Sequence, residues 1–261
     1  MRKGDHMGQH EVEFEGARGL KLAGILDTPE GAVKTWAVIA HCFTCNKSVP
    51  AVSRIAKSLN KLGIGVLRFD FAGLGASAGK FTESTFSADV EDLKAACKWM
   101  EGEGRTPKLL IGHSLGGAAV LAAAGDIPSV VAVATIAAPS DPGHVAELLK
   151  DRLAPVYEAG VAEIQIAGHT MMVGAPLFDD LTSQNEHHER IRNLNAALLV
   201  MHSPQDRVVD IHNAMDIYRT AEMPKSFIAF DGADHLMTKK GVAAWAGEMI
   251  AAWASRYVSD L

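Results

Sequence analysis

Leu109-Leu110-Ile111-Gly112-His113-Ser114-Leu115-Gly116-Gly117 is an apolar strand running into Gly-x-Ser-x-Gly, followed at once by the helical run Ala118 to Ala124. Strand, tight turn and helix in that order is the setting in which a serine becomes an exposed nucleophile. The turn is so sharp that the residues flanking the serine must lack bulky side chains. Gly112 and Gly116 meet that condition, and Gly117 lets the helix approach the sheet closely. Ser114 is therefore expected on strained backbone, with its hydroxyl at the carboxyl edge of the sheet.

Outward from this segment the chain alternates. From Val33 onward, short β-branched runs and longer amphipathic runs take turns, the pattern of a mostly parallel sheet with helices on both faces. Strands are predicted at Glu11 to Phe14, Leu20 to Leu26, Ala37 to His41 and Gly65 to Phe69. The elbow strand follows, then Val130 to Ala137, Ala197 to His202 and Phe227 to Phe230, about eight in all. The first two read as an antiparallel pair around Gly16 to Gly19. Helices are predicted at Val52 to Leu62, Ala88 to Met100, His212 to Thr220 and Gly241 to Tyr257. The second carries an apolar stripe through Val90, Leu93, Ala96, Cys97 and Met100.

Ser140 to Asn195 breaks the alternation. It is too long for an ordinary crossover, and such excursions are usually lids or binding loops. It opens with a helical pattern, Val145 to Leu153, and holds a hairpin pattern in which Glu163 to Ile166 and Thr170 to Val173 flank Ala167-Gly168-His169. No linker marks off a second domain, so residues 1–261 read as one domain with a small lid at 140–195.

Composition narrows the class. With 48% hydrophobic and 21% charged residues the chain can bury a sizeable core. A net charge of −6 argues against nucleic acid or an anionic membrane as partner. The longest apolar stretch, Ala118 to Pro139, is interrupted by Gly125-Asp126-Ile127-Pro128, so it reads as helix then strand and not as a membrane span. No apolar core follows Arg2-Lys3, so no signal peptide is expected, and Met1 to Met7 reads as leftover vector sequence. Three cysteines make no disulfide framework, which suits a reducing cytoplasm.

A serine hydroxyl needs a base, and the base needs an orienting acid. In this sheet order both belong on loops after later strands, acid before histidine. Asp206 sits in the turn just beyond Met201-His202, and His235 follows the strand Phe227 to Phe230. The expected triad is Ser114, Asp206 and His235. Asp210 is the main rival acid, although its place before a helix suits an N-cap, and Asp141 is a second rival. His113 adjoins the nucleophile, yet successive residues on such a turn point apart, so it is not the expected base. The oxyanion should be held by backbone amides: that of Leu115, and one from His41-Cys42-Phe43-Thr44-Cys45-Asn46, with Phe43 the first choice and Cys42 the fallback.

Other features of the sequence compete with this reading. Cys42-x-x-Cys45 suggests redox or zinc chemistry, against two small thiols lining the mouth of the site; a zinc site needs four ligands, and Cys97 belongs to a core-facing stripe. Glu186-His187-His188-Glu189 reads as a solvated face more readily than a metal set. Gly73-x-Gly75 lacks the third glycine of a dinucleotide fingerprint. Neither metal nor cofactor is expected. The apolar stretch Met171-Met172-Val173-Gly174-Ala175-Pro176-Leu177-Phe178 suggests an acyl pocket built from Met171, Met172, Leu177 and Phe178 with Cys42 nearby, or equally a lid packed on the body.

Gly112 to Gly116, Asp70-Phe71-Ala72-Gly73-Leu74-Gly75-Ala76-Ser77 and the late Asp206 and His235 resemble the α/β-hydrolase superfamily. More narrowly, His41 to Lys47, Leu67 to Phe71 and Ala138 to Pro142 resemble the hydrolase half of the bifunctional α/β-hydrolase/OsmC proteins of bacteria, over nearly the whole chain. The resemblance implies an α/β-hydrolase fold and a serine-hydrolase module resembling carboxylesterases, with Ser114, Asp206 and His235 in the triad positions. The chain stops at Leu261, where that family would continue into its peroxidase-like domain, so no peroxidase activity and no OsmC-like domain are expected. The expected activity is hydrolysis of short-to-medium acyl esters through an acyl-enzyme. Thioester hydrolysis, perhydrolysis and a non-catalytic binding module are the alternatives, and a homodimer is left open.

Overall fold

The computed structural model of the chain describes residues 8–258 apart from 43, 167 and 168. An eight-stranded sheet runs through it. Its strands are β1 (Gly8–Glu15), β2 (Lys21–Thr28), β3 (Thr35–Ala40), β4 (Ile64–Phe69), β5 (Pro107–His113), β6 (Ala132–Ile136), β9 (Ala197–His202) and β10 (Lys225–Ala229), in the spatial order β1-β2-β4-β3-β5-β6-β9-β10. β1 with β2 and β2 with β4 are antiparallel; every other pairing is parallel. A separate antiparallel hairpin, β7 (Val161–Ile166) and β8 (His169–Gly174), lies in the segment between β6 and β9.

The strand sequences are almost continuously apolar because both faces of the sheet are covered. Period two divides them. Val38, Leu67, Leu110, Val133, Leu198 and Val200 face a core closed by α2 (Phe86–Gly102), α3 (Leu115–Ala123) and α8 (Ile211–Thr220). Ile39, Val66, Leu109, Ile111, Leu199 and Met201 face a core closed by α1 (Pro50–Lys61) and α9 (Val242–Val258). The stripe predicted on α2 is buried, Cys97 included. Gly63, at φ +88, turns the end of α1 directly into β4.

Between β6 and β9 lie α4 (Gly143–Leu149), a 3-10 turn at Lys150–Arg152, α5 (Ala154–Ala159), the hairpin, α6 (Ala175–Thr182) and α7 (His187–Arg192). The single helix expected over Val145 to Leu153 is thus divided. The backbone at Leu149 (φ −106, ψ 0) leaves the α-helical course for the 3-10 turn, and the chain restarts at α5 with Pro155 in its first turn, where an N–H has no partner within the helix. Among the described residues, no helix is long and apolar enough to cross a membrane.

Two acids of α2 are buried. Asp92 accepts the Ala17 amide at 3.1 Å and the Ala72 amide at 3.3 Å, tying the β1–β2 turn and the loop after β4 to the helix. Asp89 accepts the Ser84 hydroxyl at 3.5 Å, and burial, with the Asp92 charge next, raises its carboxyl well above the usual range. Above the ordinary carboxylate pKa the native state therefore keeps a proton that the unfolded chain releases. Stability falls with rising pH until the folded pKa is passed, by about 1.4 kcal/mol for each unit between the two values. Asp89→Asn removes this term. Its melting temperature is expected to match wild type near pH 3.5 and to exceed it increasingly towards pH 7; parallel curves would contradict the assignment.

Candidate active site

The elbow is built from contacts that leave no room for side chains. A Cβ on Gly112 would overlap the carbonyl oxygen of Gly116 and the Cα of Gly117, and one on Gly116 would overlap the carbonyls of His41 and Ala40. The end of β3 therefore lies directly against the start of α3. Ser114 takes φ 55, ψ −125, in the left-handed region that costs a non-glycine residue about 1–3 kcal/mol. Its amide donates to Ile136 O at 2.9 Å, and its carbonyl accepts the Gly117 amide at 2.8 Å. The next residue, Leu115, is the first of α3, where an N–H has no partner within the helix.

Two loops meet Ser114 at this edge. The loop after β9 carries Asp206, whose Oδ1 accepts the amides of Val208 at 2.8 Å and Val209 at 3.0 Å. The loop after β10 carries His235. The loops are sewn together by Ser203 Oγ donating to Ala233 O at 2.6 Å and by Gly232 N donating to Gln205 Oε1 at 2.7 Å. His235 Nδ1 stands 2.8 Å from Asp206 Oδ2, and its Nε2 stands 3.0 Å from Ser114 Oγ. Burial pushes the Asp206 carboxyl up, but the His235 hydrogen bond and charge, with the two amides, outweigh it and hold the group below the usual carboxylate range. Hydroxyl, imidazole and ionised carboxylate thus stand in one line, the arrangement a proton relay needs.

Two further histidines brace this line, and neither role was read from the sequence. His113 Nε2–H donates to the carbonyl of His235 at 2.8 Å, joining elbow to base loop across 122 residues. His202 Nε2–H donates to the carbonyl of Val209 at 2.8 Å, bracing the acid loop. Burial lowers both rings, His113 to about 3 with the His235 charge adding to the effect, so both are neutral near pH 7. An uncharged ring beside His235 leaves a protonated His235 without a like charge to repel it. A histidine next to the serine and another at a strand end were the visible signals.

The remaining sequence candidates fall elsewhere. Asp210 caps α8 through the His212 amide at 2.8 Å and is exposed, and Asp141 accepts the Gly143 amide at 2.8 Å in a turn. Phe43 lies outside the described residues. Leu177 and Phe178, at 0% exposure, sit with Leu181 on the inner face of α6 and pack the insertion onto the body. Met172 is 50% exposed and Met171 half-buried on the hairpin. For Leu177 and Phe178 this is the second of the two expected readings, a lid packed on the body, and their spacing is that of an amphipathic helix docking on a core. A cleft of about 320 Å³ opens between α4 and the loop after β9, lined by Pro139, Val145, Leu148, Val208 and Val209 among others.

Two smaller corrections concern His187 and the cysteines. His187 is buried on α7 with its ring 6.2 Å from that of Phe86, so the Glu186 to Glu189 run is not a uniformly solvated face. Cys42 and Cys45 are joined as a disulfide, not two free thiols.

An eight-stranded, mostly parallel sheet with the hydroxyl–imidazole–carboxylate line at its carboxyl edge defines an α/β-hydrolase. Residues 33–173 match the family model described as Serine aminopeptidase, S33, and the chain belongs to that family. The crystal structure of an esterase domain from a Rhodothermus marinus protein is 44% identical and superposes with a TM-score of 0.81, over 97% of this chain and 100% of that one. Est1E from Butyrivibrio proteoclasticus, in a structure with ferulic acid bound, has the same fold, with a TM-score of 0.82 at 19% identity over 95% of this chain and 99% of that one. An uncharacterized Mycobacterium tuberculosis protein is 25% identical over 186 residues, and the chain spans 57% of its length.

Proposed function

We propose that this α/β-hydrolase is a serine esterase that cleaves carboxylic esters of short-to-medium acyl chains through an acyl-enzyme. The observation that carries the reading is the unbroken line from Ser114 Oγ through His235 to Asp206, at 3.0 and 2.8 Å. The 44% identity to a domain described as an esterase supports the same class. His235 Nε2 takes the Ser114 proton as Oγ attacks the ester carbonyl, while Asp206 fixes the ring and stabilises the imidazolium. The amides of Leu115 and Phe43 hold the oxyanion. His235 then protonates the departing alcohol, and water repeats the sequence to release the acid.

In this reading the chain is one hydrolase domain with the 140–195 insertion as its lid. The cleft between α4 and the acid loop offers apolar surface for part of the substrate. The test is a panel of p-nitrophenyl acetate, butyrate, octanoate and palmitate beside butyryl-CoA. Turnover highest on the butyrate or octanoate ester is expected. A kcat/KM higher on the thioester than on every oxygen ester would replace the ester reading with thioester hydrolysis.

The brace from His113 carries a prediction of its own. His113→Gln keeps an N–H able to reach the His235 carbonyl and is expected to hold kcat within about threefold. His113→Leu fills the space without a donor and is expected to lower kcat ten- to a hundredfold at unchanged KM, since small misplacements of a catalytic group cost on the order of 10². Equal rates for the two variants would show that the bond does not position the base.

A further inference from the structure

The Cys42–Cys45 disulfide lies on the loop between β3 and α1, and the relay makes no use of it. That loop is anchored at both ends. Upstream, His41 Nδ1–H donates to Cys42 O at 2.8 Å, His41 Nε2 accepts the Phe71 amide at 3.4 Å, and the His41 carbonyl borders Gly116 of the elbow. Downstream, Asp70 accepts the Lys47 amide at 2.6 Å and pairs with its ammonium at 2.5 Å, while Arg68, ion-paired with buried Asp27 at 2.6 Å, donates to the Lys47 carbonyl at 2.5 Å. Between the anchors, the disulfide joins Cys42 to Cys45, the Cys45 amide donates to Cys42 O at 3.0 Å, and Asn46 accepts the Ser48 and Val49 amides beyond it.

A cross-link closing so short a loop removes little entropy from the unfolded chain, so it is a poor staple for the whole fold. Its consequence is local: it ties Cys42 to Cys45, on the loop whose His41 carbonyl borders the elbow. Cys42 is buried and Cys45 half-buried, so Cys45 is the more accessible partner for an external thiolate. The third cysteine, Cys97, is buried in α2 with its thiol pushed far up by burial, so it does not compete in exchange.

We propose that Cys42–Cys45 is a thiol–disulfide exchange site that takes an external dithiol as reductant, and that the oxidised loop is the form competent for hydrolysis. The second half of this statement rests on the ester-hydrolase reading. A thiolate of the dithiol attacks Cys45 Sγ, the Cys42–Cys45 bond breaks, and Cys42 Sγ leaves as a thiolate that takes a proton from water. The second thiol of the reductant, as thiolate, then displaces Cys45 from the mixed disulfide, and Cys45 is protonated in turn. Two electrons pass to the protein, and the reductant becomes a disulfide. Losing an oxyanion donor outright costs about 10²–10³ in kcat. With both anchors retained, reduction loosens only the span between them, and a smaller fall of about tenfold in kcat at nearly constant KM follows.

The test pairs two readouts on the full chain, treated either with dithiothreitol or with its cyclic disulfide. Alkylation by iodoacetamide and peptide mass mapping are expected to leave Cys42 and Cys45 unmodified after oxidation and to modify both after reduction. Turnover of p-nitrophenyl butyrate is expected to fall about tenfold on reduction and to return on reoxidation. Cys42→Ser with Cys45→Ser is expected to stay at the lower rate under both treatments. Alkylation of both cysteines in the oxidised sample overturns the exchange site, and equal kcat in the two states overturns the link to hydrolysis. A chain that turns over the ester in neither state overturns the ester reading and the competence claim together, while the alkylation map still decides whether the pair exchanges.

Discussion

Ser114→Ala is expected to lower ester turnover by about 10⁴- to 10⁶-fold, the range seen when the nucleophile of a serine triad is removed. The loss should fall on kcat and leave the fold intact. Alanine keeps the Cβ already accommodated at φ 55, and the backbone bonds to Ile136 and from Gly117 do not involve the side chain. What disappears is the only group that joins the substrate covalently in the proposed mechanism. Steady-state kinetics with p-nitrophenyl butyrate, beside thermal unfolding of the same sample, separates lost chemistry from lost structure. A variant that melts as wild type and retains more than a tenth of its rate would remove Ser114 from the reaction.

Asp206→Asn is expected to cost about 10⁴-fold in kcat, through a tautomer and not through geometry. With a carboxylate at Oδ2, His235 carries its proton on Nδ1 and turns an unprotonated Nε2 to the serine. An asparagine amide facing the same nitrogen donates to it, which moves the ring proton to Nε2, where it cannot accept the serine proton. The side-chain oxygen of asparagine can still take the Val208 and Val209 amides, so the loop is expected to hold. The controls are the two rival acids. Asp210→Asn removes charge from an exposed cap and Asp141→Asn alters a turn, and each should change kcat/KM by less than about threefold. A loss at either one equal to that at Asp206 would reassign the acid.

The sheet and the relay could be read from the chain because both are written in local terms. Gly112 and Gly116 exist where a side chain would strike backbone, and strand ends followed by Asp206 and His235 set the loops at one edge. Contacts across long separations were not legible. The bond from His113 to the carbonyl of His235 depends on how two loops settle, and no spacing rule encodes it. Arg68 and Asp27, a buried ion pair that anchors the loop after β3, left only the faint signal of charges inside apolar strands. The Met171 to Phe178 run left two readings open for a physical reason: the apolar face that docks a helix and the one that lines a pocket have the same composition. The division of the helix expected over Val145 to Leu153 left no such local mark, because the tightening at Leu149 falls on residues that fit a helix.

The most direct test of the Ser114–His235–Asp206 relay is covalent trapping by a fluorophosphonate, followed by peptide mass mapping. One adduct per chain is expected, on Ser114, absent from Ser114→Ala and much slower to form in His235→Ala. No adduct under conditions that label a control serine hydrolase, or an adduct on another residue, would contradict the assignment of Ser114 as the nucleophile.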